Sequence, residues 1–144
     1  MKYFTYEELT FSATAKKLHI DNFPYFNKEV FANLRALVEN TLDPLRAAWG
    51  KPIRVNSGYR CPKLNKAVGG AANSSHMRGQ AADITTGSKI DNKRLWDLLI
   101  ESSIPYTKVI NEKDFSWLHV SFDANNISRI KLKEVNGNYI AVQR

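Results

Sequence analysis

Apolar residues recur at helical spacing through the first third of the chain and switch to strand-like alternation after it. Phe31, Leu34, Leu37, Val38, Leu42 and Leu45 fall on one face of a single helix predicted from Asn27 to Trp49, with Asn27 as N-cap. Gly50 and Pro52 stop it. A shorter helix is expected at "TYEEL", where Thr5 caps and Glu8 follows at capping-box distance. "IRVNSGYR" reads as a strand turning at Ser57-Gly58, and "CPKLNKAV" as a brief helix ended by Gly69 and Gly70. "QAADITT" carries the small and branched residues of a strand entering the core. "DNKRLWDLLIES" predicts a helix capped by Asp91 that buries Leu95, Leu98 and Leu99. Four alternating segments close the chain, "YTKVINE", "SWLHVSF", "SRIKLKEV" and "NYIAVQR", the last two joined by the hairpin signal "NGN". Helices first and strands later predict an α+β fold with a small antiparallel sheet packed against helices. We expect one domain over residues 1–144, with helices in about 1–50 and the sheet in about 51–144.

Composition adds few constraints. The chain has 144 residues, 43% hydrophobic and 24% charged, as in an ordinary globular protein. No apolar run is long enough to insert in a membrane, and "MKYFTYEELTFSATAKK" lacks the apolar stretch of a secretory signal, so cytoplasmic synthesis without a signal peptide is expected. The single cysteine, Cys61, excludes an internal disulfide and a cysteine-rich metal site. A net charge of +7 favours an anionic partner, and nucleic acid, anionic lipid and bacterial cell wall all qualify. The basic residues are scattered and form no recognised nucleic-acid motif, so no nucleic-acid partner is expected. Nothing calls for more than a monomer.

Chemistry concentrates in "NSSHMRGQAADITTG" and "SWLHVSF". His119 alternates with Trp117 and Ser121 on one strand, and Asp83 lies on another. Two strands of one sheet can bring Asp83 to His119, and the loop before Asp83 can fold His76 over them. Two imidazoles and a carboxylate are the three-ligand set of a catalytic zinc site with a fourth position for water. The same residues also suit a hydrogen-bonded His–Asp cluster without metal. His19 has no such company and is read as a surface or packing residue.

"SSHMRGQAAD" fits Ser-x-His-x-x-Gly-x-Ala-x-Asp, "SWLHVSF" fits Trp-x-His, and "VNSGYRCPKLN" fits the Ser-Gly-Tyr-Arg segment before them. In order and spacing these resemble the zinc D-Ala-D-Ala carboxypeptidase family, which includes phage endolysin peptidases and shares the hedgehog-type fold. The resemblance implies a zinc-dependent peptidase acting on peptidoglycan stem peptides, as a carboxypeptidase or an endolysin-type endopeptidase. It implies His76, Asp83 and His119 as zinc ligands, Arg60 in the cleft steadying a carboxylate or oxyanion, and Ser74 at the substrate edge. The alternative for Ser74 is a turn hydroxyl. Gly79 would turn the backbone between two ligands, and Ala81 and Ala82 would leave room beside the metal.

The general base is less plainly marked. Many relatives have an acid shortly before the last histidine, where this chain has Ser116. Glu112, at the end of the preceding strand, is the favoured base, and Asp114, in the turn "EKD", is the second candidate. With neither, the chain would be an inactive zinc-stabilised binding module of the same fold. Phage-type release to the wall through a membrane lesion would suit a chain without a signal.

Overall fold

A computed structural model describes residues 1–143. Helices α1 (Tyr6–Thr10), α2 (Ala13–Lys17), α3 (Lys28–Leu37), α4 (Asp43–Trp49), α5 (Pro62–Ala67) and α6 (Lys89–Glu101) accompany six strands. These are β1 (Arg54–Ser57), β2 (Ala81–Thr85), β3 (Lys108–Glu112), β4 (Trp117–Ser121), β5 (Ile130–Val135) and β6 (Asn138–Ala141), in sheet order β1-β2-β4-β3-β5-β6. The fold is α+β. Among the described residues no helix is long and apolar enough to cross a membrane.

Thr5 and Asn27 cap α1 and α3 as expected, accepting from the backbone N–H of Glu8 and Val30. The long helix is not continuous, however. Between α3 and α4 the segment Val38–Leu42 forms a π-helical turn, and the Asp43 N–H reaches back to the Val38 carbonyl. Pro44, at the start of α4, supplies the reason: it has no N–H, and its ring would crowd the carbonyl four residues earlier. The cap of α6 is Ser88, whose hydroxyl accepts from Asp91 N–H at 3.1 Å; Asp91 itself lies in the first turn, paired with Arg94. Residues Ala13–Lys17 and the 3-10 turn Ser75–Arg78 are helical where no periodicity announced them.

The sheet is antiparallel except for β3 and β5, which run parallel with Ile110 opposite Leu132. The long excursion from β4 lets β5 pass β3 and enter on its far side. The Asn136-Gly137 turn then returns the chain into β6, both residues at positive φ, as a tight hairpin requires.

Alternation divides the sheet into two faces. Ala82, Ile84, Val109, Leu118 and Val120 join Leu34, Leu37, Leu45, Leu95 and Leu99 in one buried cluster beneath the helices. Each such leucine contributes about 1.5–3 kcal/mol of transfer free energy. Ala82 therefore packs in the core and not beside a metal, because it is out of phase with Asp83. The opposite face presents Lys108, Ile110, Glu112, Trp117, His119, Ser121 and Asp83 to a 960 Å³ cleft.

Candidate metal centre

Strand pairing sets Asp83 directly opposite His119, and Ile110 flanks His119 on the other side. His76 arrives from the 3-10 turn Ser75–Arg78, which Ser74 caps at one end and Gly79, at φ +73°, at the other. A β-carbon at Gly79 would meet the Val30 carbonyl at 2.8 Å, so this turn needs glycine for space as well as for conformation. The Ser74 hydroxyl accepts from the His76 N–H at 3.2 Å and also lines the cleft.

The donor atoms of His76, Asp83 and His119 all lie within 4.8 Å of one another. Asp83 Oδ1 stands 3.3 Å from His76 Nε2 and 3.1 Å from His119 Nδ1. A tetrahedral ion with ligands at about 2.0–2.1 Å separates neighbouring donors by about 3.3 Å, so the set matches zinc in both spacing and chemistry. His76 is buried, and its Nδ1 lies 2.7 Å from the carbonyl oxygen of Gly58. That contact puts the proton on Nδ1 and turns the Nε2 lone pair toward Asp83, the arrangement a metal-binding imidazole needs. Burial pulls the His119 pKa down against the opposing influence of Asp83, which keeps the ring in the neutral form that ligates. Burial would raise the Asp83 carboxyl, but the His119 and His76 imidazoles beside it hold it well below the usual range.

Arg60 follows β1 and is half-buried at the cleft edge. Its backbone N–H donates to the His76 carbonyl at 3.1 Å, which ties the arginine loop to the ligand-bearing turn. Asn22, itself buried, donates to the carbonyls of Thr10 and Tyr59 and accepts from Cys61 N–H, pinning the same loop. Gly70 packs on the guanidinium: a β-carbon there would lie 2.9 Å from Arg60 Nη1 and 2.1 Å from Asn65 Oδ1. The Arg60 Nε is buried with no protein partner. Burial lowers the guanidinium pKa, and the Asp83 charge opposes that.

Glu112 lines the cleft at the end of β3, while Asp114 is exposed in the following turn at φ 54° and does not line it. Burial raises the Glu112 pKa, helped by the charges of Asp83 and Glu134, and a Tyr139 hydroxyl donating at 3.4 Å opposes the rise. Such a carboxyl is closer to the pKa that suits proton transfer near neutrality. Trp117 lines the cleft wall, and Tyr59 is packed in the core. Cys61 caps α5 through its sulfur, and His19 is exposed and remote from these residues.

Sequence reasoning missed Gly58, Asn22, Gly70, Glu134 and Tyr139. Gly58 stands in the Ser-Gly-Tyr-Arg segment and Gly70 just past the following helix, but what they touch depends on α1 and α5. Glu134 and Tyr139 reach the cleft only through the parallel β3–β5 pairing, which alternation cannot reveal.

Residues 2–121 match the Peptidase M15 family. The chain is 53% identical over 49 residues to the zinc D-Ala-D-Ala carboxypeptidase of Streptomyces albus G. That match covers 33% of this chain and 19% of the relative's own length. The chain belongs to the Peptidase M15 family.

Proposed function

From membership of the Peptidase M15 family, we propose that this chain is a zinc metallopeptidase that hydrolyses peptide bonds in peptidoglycan stem peptides. The observation that carries the reading is the His76–Asp83–His119 donor set, with Glu112 and Arg60 lining the same cleft. The similarity to a zinc D-Ala-D-Ala carboxypeptidase supports the substrate class.

His76, Asp83 and His119 would hold the ion. When bound, zinc supplies a Lewis acid and lowers the pKa of water to about 7. Glu112 takes the proton from the attacking water and returns it to the leaving amine, a role that its half-buried position and raised pKa support. Arg60, half-buried at the cleft edge, holds the substrate carboxylate or the developing oxyanion; the planar, permanently charged fork suits either. Ser74 holds the turn that bears His76 and borders the substrate. Asp114, exposed and outside the cleft lining, has no part in proton transfer.

The setting we propose is lysis of the wall by an endolysin-type enzyme, released through a membrane lesion. A net charge of +7 favours adsorption to anionic wall polymers. The test is incubation of the zinc-loaded protein with a synthetic stem pentapeptide ending in D-Ala-D-Ala. Free D-alanine identifies a carboxypeptidase and internal fragments an endopeptidase. A zinc-loaded protein that leaves both this peptide and cross-linked wall fragments intact contradicts the proposal.

A further inference from the structure

The hairpin β5–β6 lies beyond the residues matched by the family, which end at 121, yet it extends the floor on which the metal centre stands. Ile110 sits between His119 on β4 and Leu132 on β5. Alternation then sends Ile130, Leu132 and Glu134 to the cleft face, and Tyr139 joins them because it pairs with Glu134. All four line the same 960 Å³ cleft as the metal centre. Ile130 is 41% exposed, so this floor offers apolar surface to whatever lies on it.

The two sides of the cleft differ in charge. Arg60 and Arg78 stand on the side of β1 and the 3-10 turn, whereas Glu134 and Glu112 stand at the hairpin corner. Two cations also face the hairpin side. Lys108 is opposite Ile130, at the far end of the strands, and Lys113 lies over the Trp117 ring, its Nζ 5.6 Å from the centroid. Glu134 lines the cleft and is fixed by the Gly137 N–H, which donates to Oε2 at 2.7 Å and leaves Oε1 to take another partner.

We propose that the hairpin face is the subsite for the substrate segment on the N-terminal side of the cleaved bond, and that Glu134 takes the side-chain ammonium of a diamino residue there. This rests on reading the centre as a stem peptidase. With a carboxylate held by Arg60 at one edge, the rest of the peptide leaves the metal centre in the other direction, across β3. Two strand spacings and one two-residue step put Glu134 about 12 Å from His119 between α-carbons. Two extended residues span about 7 Å, and a four-carbon amine arm covers the remainder.

Two synthetic stem peptides test it, identical except that the second residue before the scissile bond is lysine in one and Nε-acetyl-lysine in the other. Turnover is read on the zinc-loaded wild type and Glu134→Gln. Binding is read by calorimetry on zinc-loaded Glu112→Gln with and without Glu134→Gln, so that the peptides persist. Glutamine keeps the acceptor for Gly137 and so preserves the hairpin turn. The expected result is a preference for lysine of about fivefold, the size of one solvent-facing ion pair, reduced to about onefold by Glu134→Gln. If neither peptide is cut but lysine still binds more tightly through Glu134, the hydrolytic reading falls and the subsite stands. Equal handling of the two peptides, or a preference that Glu134→Gln leaves intact, overturns the subsite.

Discussion

His76 Nδ1 meets the carbonyl oxygen of Gly58 at 2.7 Å, so a backbone atom at the end of β1 sets which imidazole nitrogen is offered to the metal. Gly58 occupies its place for lack of space: an added β-carbon would fall 2.1 Å from the carbonyl oxygen of Leu9 on α1. Gly58→Ala must shift this backbone and with it the hydrogen bond to His76. We expect zinc affinity to fall about 10- to 100-fold, the range for loss of a group that orients a metal ligand. Competition against a chromogenic chelator measures it.

The same geometry makes zinc part of the folding free energy. An ion that binds the native chain at a thousandfold excess over its Kd contributes about 4 kcal/mol. Chelation should therefore lower the Tm of the wild type. Asp83→Asn, which removes the carboxylate between the two imidazoles, should melt at the same temperature with and without chelator. Paired calorimetric scans check this.

Glu112 should destabilise the protein at neutral pH. Its folded-state pKa is raised above the ordinary carboxylate value, with burial as the largest cause, so the native state holds this proton more tightly than the unfolded chain does. The linked stability is fully present below the unfolded pKa and is lost as pH rises through the folded one. Glu112→Gln should accordingly raise the Tm at pH 7 and leave it nearly unchanged at about pH 3.5, below the ordinary carboxylate pKa. Thermal melts of the zinc-free protein, kept in chelator, at the two pH values read the difference. Activity should move in the opposite direction, since the destabilising carboxylate is the one assigned to proton transfer.

Gly70→Ala tests how Arg60 is held. The new methyl would press on Asn65 Oδ1 and Arg60 Nη1 and displace the guanidinium from the cleft edge. With carboxylate binding assigned to Arg60, KM should rise about tenfold, the scale of one charge-assisted hydrogen bond, while zinc affinity stays at the wild-type value. Steady-state kinetics and zinc titration separate the two effects.

The α+β fold was legible from period and turn chemistry, and the grouping of His76, Asp83 and His119 from the resemblance of their motifs to a known peptidase family. What escaped depends on packing between distant segments. Pro44 lies inside an apolar pattern that looks continuous, and only the backbone ladder shows that the helix must widen at Val38–Leu42 to admit it. Ser88 and Asp91 are both good capping residues, and the turn after Gly87 decided between them. Ala82 sits in the motif beside Asp83, yet strand parity sends it to the core. Glu134 lies in a charged, alternating strand whose relation to the cleft follows from a parallel pairing across an intervening excursion.

Digestion of purified peptidoglycan, with mass spectrometry of the products and zinc content measured on the same samples, tests the central claim most directly. Wild type, Glu112→Gln and Asp114→Asn are run side by side. We predict shortened or detached stem peptides from wild type and Asp114→Asn. Glu112→Gln should carry one zinc per chain and turn over about 10²- to 10⁴-fold more slowly, the usual contribution of a general base. A zinc-replete wild type that releases nothing from any wall type, or a Glu112→Gln protein that digests as fast as wild type, would contradict the account.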